Sequence, residues 1–256
     1  MDINQSYLDF LKTKHLCQDG KMRQHAPDWF IDVASQIYAD SLTKKPKYDL
    51  SACISGTDSD FNGRVFFISD IHFFHENIIE YVTRLKRPFQ NAKEMNAAIL
   101  SNILNTVSEN DILIFVGDIG FDKSDDGTFP LTNALLREIR SHCAFTINVI
   151  GNHDIDKKCG ANDLMFDEIY SSISLNFNGT PLFVSHYPVS VDILDIMPGC
   201  LGLHGHTHSH VWESPFIDAL YPKDAKEFRH VSVNIETTEL RPMRLEELLA
   251  RPGPKL

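Results

Sequence analysis

The chain has 256 residues, 43% of them hydrophobic and 23% charged, an ordinary globular composition with enough length to bury a core without disulfide staples. Its 35 acidic against 24 basic side chains give a formal net charge of −11, which excludes a broad basic surface for duplex nucleic acid and leaves room for a local phosphate site. No apolar run reaches membrane length, so neither a transmembrane helix nor a membrane partner is expected. The opening residues lack the basic and then apolar regions of a secretory signal, which makes the cytoplasm the expected compartment. Five cysteines without a Cys-x-x-Cys pair read as reduced structural thiols.

An apolar stripe at Phe30, Val33, Ala34, Ile37 and Tyr38 behind Pro27-Asp28 predicts an amphipathic helix. A shorter helix is expected over residues 7–16, so that residues 1–45 read as helical. Residues 51–63, rich in Ser, Asp, Asn and Gly, read as a linker or exposed loop. A boundary there divides a helical N-terminal extension, residues 1–62, from a main domain, residues 63–256. Beyond it, short apolar runs over residues 65–69, 112–116, 146–150, 182–185 and 201–204 alternate with helical stretches, as in a layered α/β core of buried strands. Met95, Ile99, Ile103 and Val107 mark one helix by their spacing, and residues 131–140 another. Asn178-Gly179 between two apolar runs is a hairpin signal.

Each predicted strand runs into side chains that can bind metal. The first ends in Asp70-Ile71-His72, the second in Gly117-Asp118, the third in Gly151-Asn152-His153-Asp154, the fourth in His186, and the fifth in Gly205-His206-Thr207-His208. Ligands of open α/β sheets bind beyond the carboxyl ends of the strands, so five segments would deliver carboxylates, an amide oxygen and imidazoles to one place. Mixed oxygen and nitrogen donors suit Mn, Fe, Zn or Co better than Ca or a thiolate-bound structural zinc. Taken singly, each block is an ordinary turn or helix cap. Their joint occurrence in this order, each after a strand, is what argues for a metal site.

These blocks resemble the ordered signature of the calcineurin-like metallophosphoesterases, over residues 64–249. Within that superfamily, the run from Ser69 to Ile79, Arg87-Pro88-Phe89, Ser185-His186-Tyr187-Pro188 and the terminal Arg241-Pro242-Met243 are similar to a small bacterial and phage branch, which usually has glycine where this chain has Phe74. The resemblance implies an α/β fold with a layered β-sandwich core flanked by helices. It implies two divalent ions, manganese first, with iron, zinc, cobalt or nickel as alternatives. Asp70, His72 and His208 would hold one ion, and Asn152, His186 and His206 the other, with Asp118 bridging both. Two divalent ions outweigh two carboxylates and a bridging hydroxide, which leaves a positive pocket in an acidic protein.

The expected function is hydrolysis of a phosphodiester or phosphomonoester by a water shared between the ions, with nucleotide-like diesters preferred. His153 would assist the leaving group, oriented by Asp154 unless that carboxylate caps a helix instead. His75, Asn77, Arg87 and His210 are candidate substrate contacts, Arg84 and Arg87 as phosphate clamps, while His204 reads as a packed histidine. The expected partner is a small phosphoester or nucleotide, and a single-stranded nucleic-acid end is the larger substrate that the charge allows. The competing reading is a noncatalytic metal-binding scaffold whose N-terminal helices bind another protein. An N-terminal stripe that packs on the main domain, closes over substrate or makes an oligomer contact fits either.

Overall fold

A computed structural model of the chain describes residues 2–13, 15–18, 21–24, 26–82, 87–155, 163–208 and 229–251. In chain order its elements are α1 (Ile3–Thr13), β1 (His15–Gln18), β2 (Lys21–Gln24), α2 (Asp28–Ser41), α3 (Leu50–Ser55), β3 (Val65–Ile68), α4 (Ile78–Tyr81), α5 (Ala92–Thr106), β4 (Ile112–Phe115) and α6 (Pro130–His142). There follow β5 (Phe145–Val149), β6 (Glu168–Tyr170), β7 (Ile173–Phe177), β8 (Thr180–Ser185), α7 (Val191–Leu194), β9 (Leu201–His204), β10 (His230–Ser232), β11 (Met243–Arg244) and α8 (Leu245–Ala250).

Strands β3, β4 and β5 are buried at every residue, so each needs apolar cover on both faces. Pleating divides the cover. Val65, Phe67, Ile112 and Ile114 face Leu182, Val184 and Leu203 of a second sheet. Phe66, Ile68, Leu113 and Phe115 face Met95, Ile99 and Ile103 of α5 and Leu136 and Ile139 of α6. Fully burying one such side chain contributes about 1.5–3 kcal/mol.

The first sheet has the order β11-β3-β4-β5-β6, with β3 to β6 parallel and β11 antiparallel at the edge. The second has the order β10-β9-β8-β7, parallel except for the β7–β8 hairpin. That hairpin turns through Asn178 and Gly179, with φ of 49° and 88°, the left-handed pair that a two-residue turn of this hand requires. The five strands read from sequence are thus divided between two stacked sheets, three in one and two in the other.

The outer face of the second sheet is covered by the N-terminal segment. Phe183, pointing opposite to Leu182 and Val184, meets Tyr7 edge-on at 5.5 Å, and Tyr187 meets Phe30 at 5.3 Å. Helices α1 and α2 therefore form a fourth layer. Two local expectations are corrected. Residues 1–45 are not wholly helical, because α1 ends at Thr13 and an antiparallel β1–β2 hairpin precedes α2. The polar run expected as a linker holds α3, which Asp49 caps through the amide of Ala52 and Gly56 terminates at φ 66°. No described helix is long and apolar enough to cross a membrane.

Candidate metal centre

Strands β3, β4 and β5 of one sheet and β8 and β9 of the other deliver their C-terminal loops to one edge of the sandwich. The loops after β3 and β4 continue to bond to each other past the strands. Asp70 N donates to Gly117 O at 3.0 Å, His72 N to Asp118 O at 3.0 Å and Phe73 N to Ile119 O at 2.8 Å. The backbone alternates as it goes: Asp70, His72 and Phe74 stand at φ 58°, 51° and 65°, as do Asp118, His206 and His208 at 58°, 66° and 47°. Each non-glycine residue held there costs about 1–3 kcal/mol. Phe74 thus takes a conformation for which glycine would be the easy choice.

Two glycines permit the loops to close. A side chain at Gly151 would overlap the Asp118 carboxylate, and one at Gly205 would overlap Ser69 and stand 2.5 Å from Asp70 Oδ2. With those gaps filled by functional groups, the donors gather in two clusters. Asp70, His72 and His208 offer atoms within 4.8 Å of one another, and so do Asp118, His186 and His206. Asp118 stands between them, its Oδ2 lying 3.6 Å from His72 Nε2 and 3.5 Å from His186 Nε2. Asn152 Oδ1 is 3.1 Å from the same His186 nitrogen. All seven residues expected to bind metal therefore meet at one edge.

The imidazoles are preset for ligation. His186 Nδ1 lies 2.8 Å from Val116 O, which can only accept, so the ring is held with Nε2 facing Asp118 and Asn152. His208 is oriented in the same way by Glu236 Oε1, 3.0 Å from its Nδ1, which turns Nε2 toward Asp70. His72 Nε2 is buried without a hydrogen-bond partner and points between the two carboxylates. An orphaned imidazole nitrogen among carboxylates is the donor set a divalent cation satisfies, so these residues fit a metal pair. Burial holds His72 far below the usual imidazole range, helped by the positive charge of His208 and Arg87, and keeps it in the neutral form that can ligate.

The carboxylates respond to the same setting. Burial pushes Asp70 up to about 6, despite His208 and His186. Burial also opposes ionisation of Asp118, but His186 and His153 outweigh it and hold that group low. Burial would likewise discharge His208, but Glu236 and Asp70 lift it to about 9. Glu236, equally buried, is held near 2 by Arg87 and His208.

Glu236 is a residue the sequence reading missed. It joins His208 to Arg87, whose Nη2 lies 2.7 Å away, and Arg87 also donates to the carbonyls of Ile71 and Asp70. Arg87 is 2% exposed, which corrects its expected role as a phosphate clamp: its donors brace the β3 loop from behind. Asp154 is a second correction. Its carboxylate accepts from the amides of Asp118 (3.1 Å), Ile119 (2.8 Å) and Gly151 (2.8 Å) and from Asn148 Nδ2 (3.1 Å), so it ties two ligand loops together and does not orient the His153 ring.

His153 stands at the rim. Its side chain is 38% exposed, with Nε2 at 4.0 Å from Asp118 Oδ2, whereas the ligand imidazole of His186 is wholly buried. His75 lies behind His72, their Nδ1 atoms 3.3 Å apart, and stacks on Phe121 at 3.8 Å; burial lowers it to about 4. This places His75 as support for His72, with its ring face already occupied. Asn77 is exposed ahead of α4 and makes no side-chain cap. His204 is packed, as expected, and His210 and Arg84 fall outside the described residues.

The chain is similar to known proteins over the span that carries these loops. The family model for calcineurin-like phosphoesterases matches residues 63–250. An uncharacterized protein of Methanocaldococcus jannaschii, MJ1445, is 32% identical over 184 residues, 72% of this chain and 88% of that one. The crystal structure of a protein of unknown function from Aquifex aeolicus, AQ665, aligns with a TM-score of 0.53 at 26% identity, covering 73% of this chain and 97% of the other.

Proposed function

The chain belongs to the calcineurin-like phosphoesterases, and on that footing we propose that it hydrolyses phosphate esters at a pair of divalent cations, manganese first among the candidates. The observation that carries this reading is the position of Asp118, one carboxylate oxygen within 3.6 Å of an imidazole from each cluster. Asp70, His72 and His208 would hold one cation and Asn152, His186 and His206 the other. Bound there, the cations would polarise phosphoryl oxygens and acidify a coordinated water.

The remaining steps belong to the chain. His153 is close to Asp118 yet open to solvent, so its Nε2 can give a proton to the departing ester oxygen. Asp154 keeps the Asp118 and Gly151 loops in register, and the Arg87–Glu236 pair keeps His208 Nδ1 engaged so that Nε2 faces Asp70 at 3.6 Å. Nucleotide-like diesters in the cytoplasm are the substrates we favour, and the net charge of −11 disfavours long duplexes.

A panel of phosphomonoesters, cyclic nucleotides, dinucleoside polyphosphates and single-stranded oligonucleotides, assayed with manganese, tests the reading. Turnover of at least one class is expected. A sample that binds two manganese ions per chain yet hydrolyses none of them would favour the scaffold reading instead.

A further inference from the structure

A cleft of about 350 Å³ opens beside the candidate metal centre, lined by the N-terminal segment together with loops of the two sheets. Asn152, His153 and Tyr187 line it beside the clusters, and Pro27 and Trp29, at the start of α2, line it as well. The N-terminal segment, which precedes the span matched by the family model, thus reaches the place where a substrate would lie.

The cleft's chemistry narrows its occupant. Trp29, Pro27, Ile155 and Tyr187 give it flat apolar walls. The Trp29 ring is held edge-on to Phe30 at 6.3 Å, and Phe30, fully buried, edge-on to Tyr187 at 5.3 Å. Tyr187 in turn lies 4.4 Å from the His206 ring, so the aromatic face is in fixed register with the metal ligands. Lys123 also lines the cleft, but its ammonium donates to Ile155 O at 2.8 Å. A planar ring needs a rigid face, and the aromatic side chains of the cleft supply one.

We propose that this cleft is the subsite for an aromatic or heteroaromatic group carried on the leaving side of the phosphoester, with Trp29 as the face it stacks on and the residue that determines specificity. The inference rests on the phosphoesterase reading and adds to it the class of substrate. It makes the N-terminal segment part of the substrate site as well as the cover of the second sheet.

The test uses the manganese-loaded full chain and two hydrolysis-resistant probes: the phosphonate analogues of adenosine 5′-monophosphate and of ribose 5-phosphate, which differ only by the base. Calorimetric titration should show the adenosine probe binding at least about tenfold more tightly, the size of one base-on-aromatic stack. Trp29→Ala should bring the two within about twofold of each other, and Trp29→Phe should keep most of the preference. Equal affinities in the wild-type protein would overturn the proposal without any variant, and so would a preference that survives Trp29→Ala. Hydrolysis of bis(p-nitrophenyl) phosphate by the same sample separates the two readings. Turnover without the base preference removes the subsite alone, and the base preference without turnover removes the esterase and leaves the subsite.

Discussion

The two donor clusters lie side by side and are braced by opposite means. In the first, His208 is backed by the Glu236 carboxylate, and that carboxylate is clamped by Arg87, a buried network of charges. In the second, His186 is backed by the Val116 carbonyl, a neutral backbone group at the end of β4, and His206 rests against the ring of Tyr187. A carboxylate behind an imidazole makes it a stronger donor and fixes its orientation. A backbone carbonyl fixes orientation too, and raises basicity without adding a full charge. The first half of the centre can therefore be weakened by one remote side-chain change, while the second is built into the sheet. Asp118 is the group they share.

The largest expected effect falls on that shared group. Asp118→Ala should cost more than about a hundredfold in turnover and lower the bound manganese from two ions per chain, because one carboxylate serves both clusters. Elemental analysis of the purified variant checks it, and full occupancy would contradict the shared role of Asp118. His153→Ala comes next: turnover should fall by about two orders of magnitude, most steeply for esters with poor leaving groups, while metal content stays at the wild-type level. Equal losses across a series of leaving groups would speak against proton donation.

Glu236→Gln sharpens the contrast between the halves. It should weaken one manganese site by about ten- to a hundredfold and leave the other near its wild-type affinity, which a competitive metal titration resolves. If both sites weakened equally, the two braces would not be independent.

The smallest effect lies outside the metal centre. His230, buried in the second sheet with Nε2 2.6 Å from Val189 O, is pushed by burial down to about 3. Its unfolded value is 6.5, so below that pH the unfolded chain binds a proton that the folded chain refuses. The stability this group contributes is complete above 6.5 and is lost as pH falls toward 3. His230→Asn should remove up to about 1.4 kcal/mol per pH unit from the acid limb, read as urea midpoints between about pH 6 and 4.

The candidate metal donors were legible in the sequence because each follows an apolar run within four residues, so strand ends and candidate ligands were read together. The division of those strands into two sheets was not legible, since a buried parallel strand looks the same in either. Glu236 escaped for another reason: it has no motif spacing to His208, 28 positions away in the chain. A signal was nevertheless present. His230, Ser232, Asn234 and Glu236 alternate with Val231, Val233 and Ile235, the period of a strand with one polar face; β10 takes up His230–Ser232, and Glu236 follows in a short 3-10 turn, Ile235–Thr237. Arg87 and Asp154 carried the right charge for contact with substrate or imidazole, and only their burial shows that the backbone has claimed them.

The account is tested most directly by anomalous scattering from crystals of the chain grown with manganese. It predicts two peaks, one among Asp70, His72 and His208 and the other among Asn152, His186 and His206, with the Asp118 carboxylate between them. A single peak, or two that do not share Asp118, would contradict it.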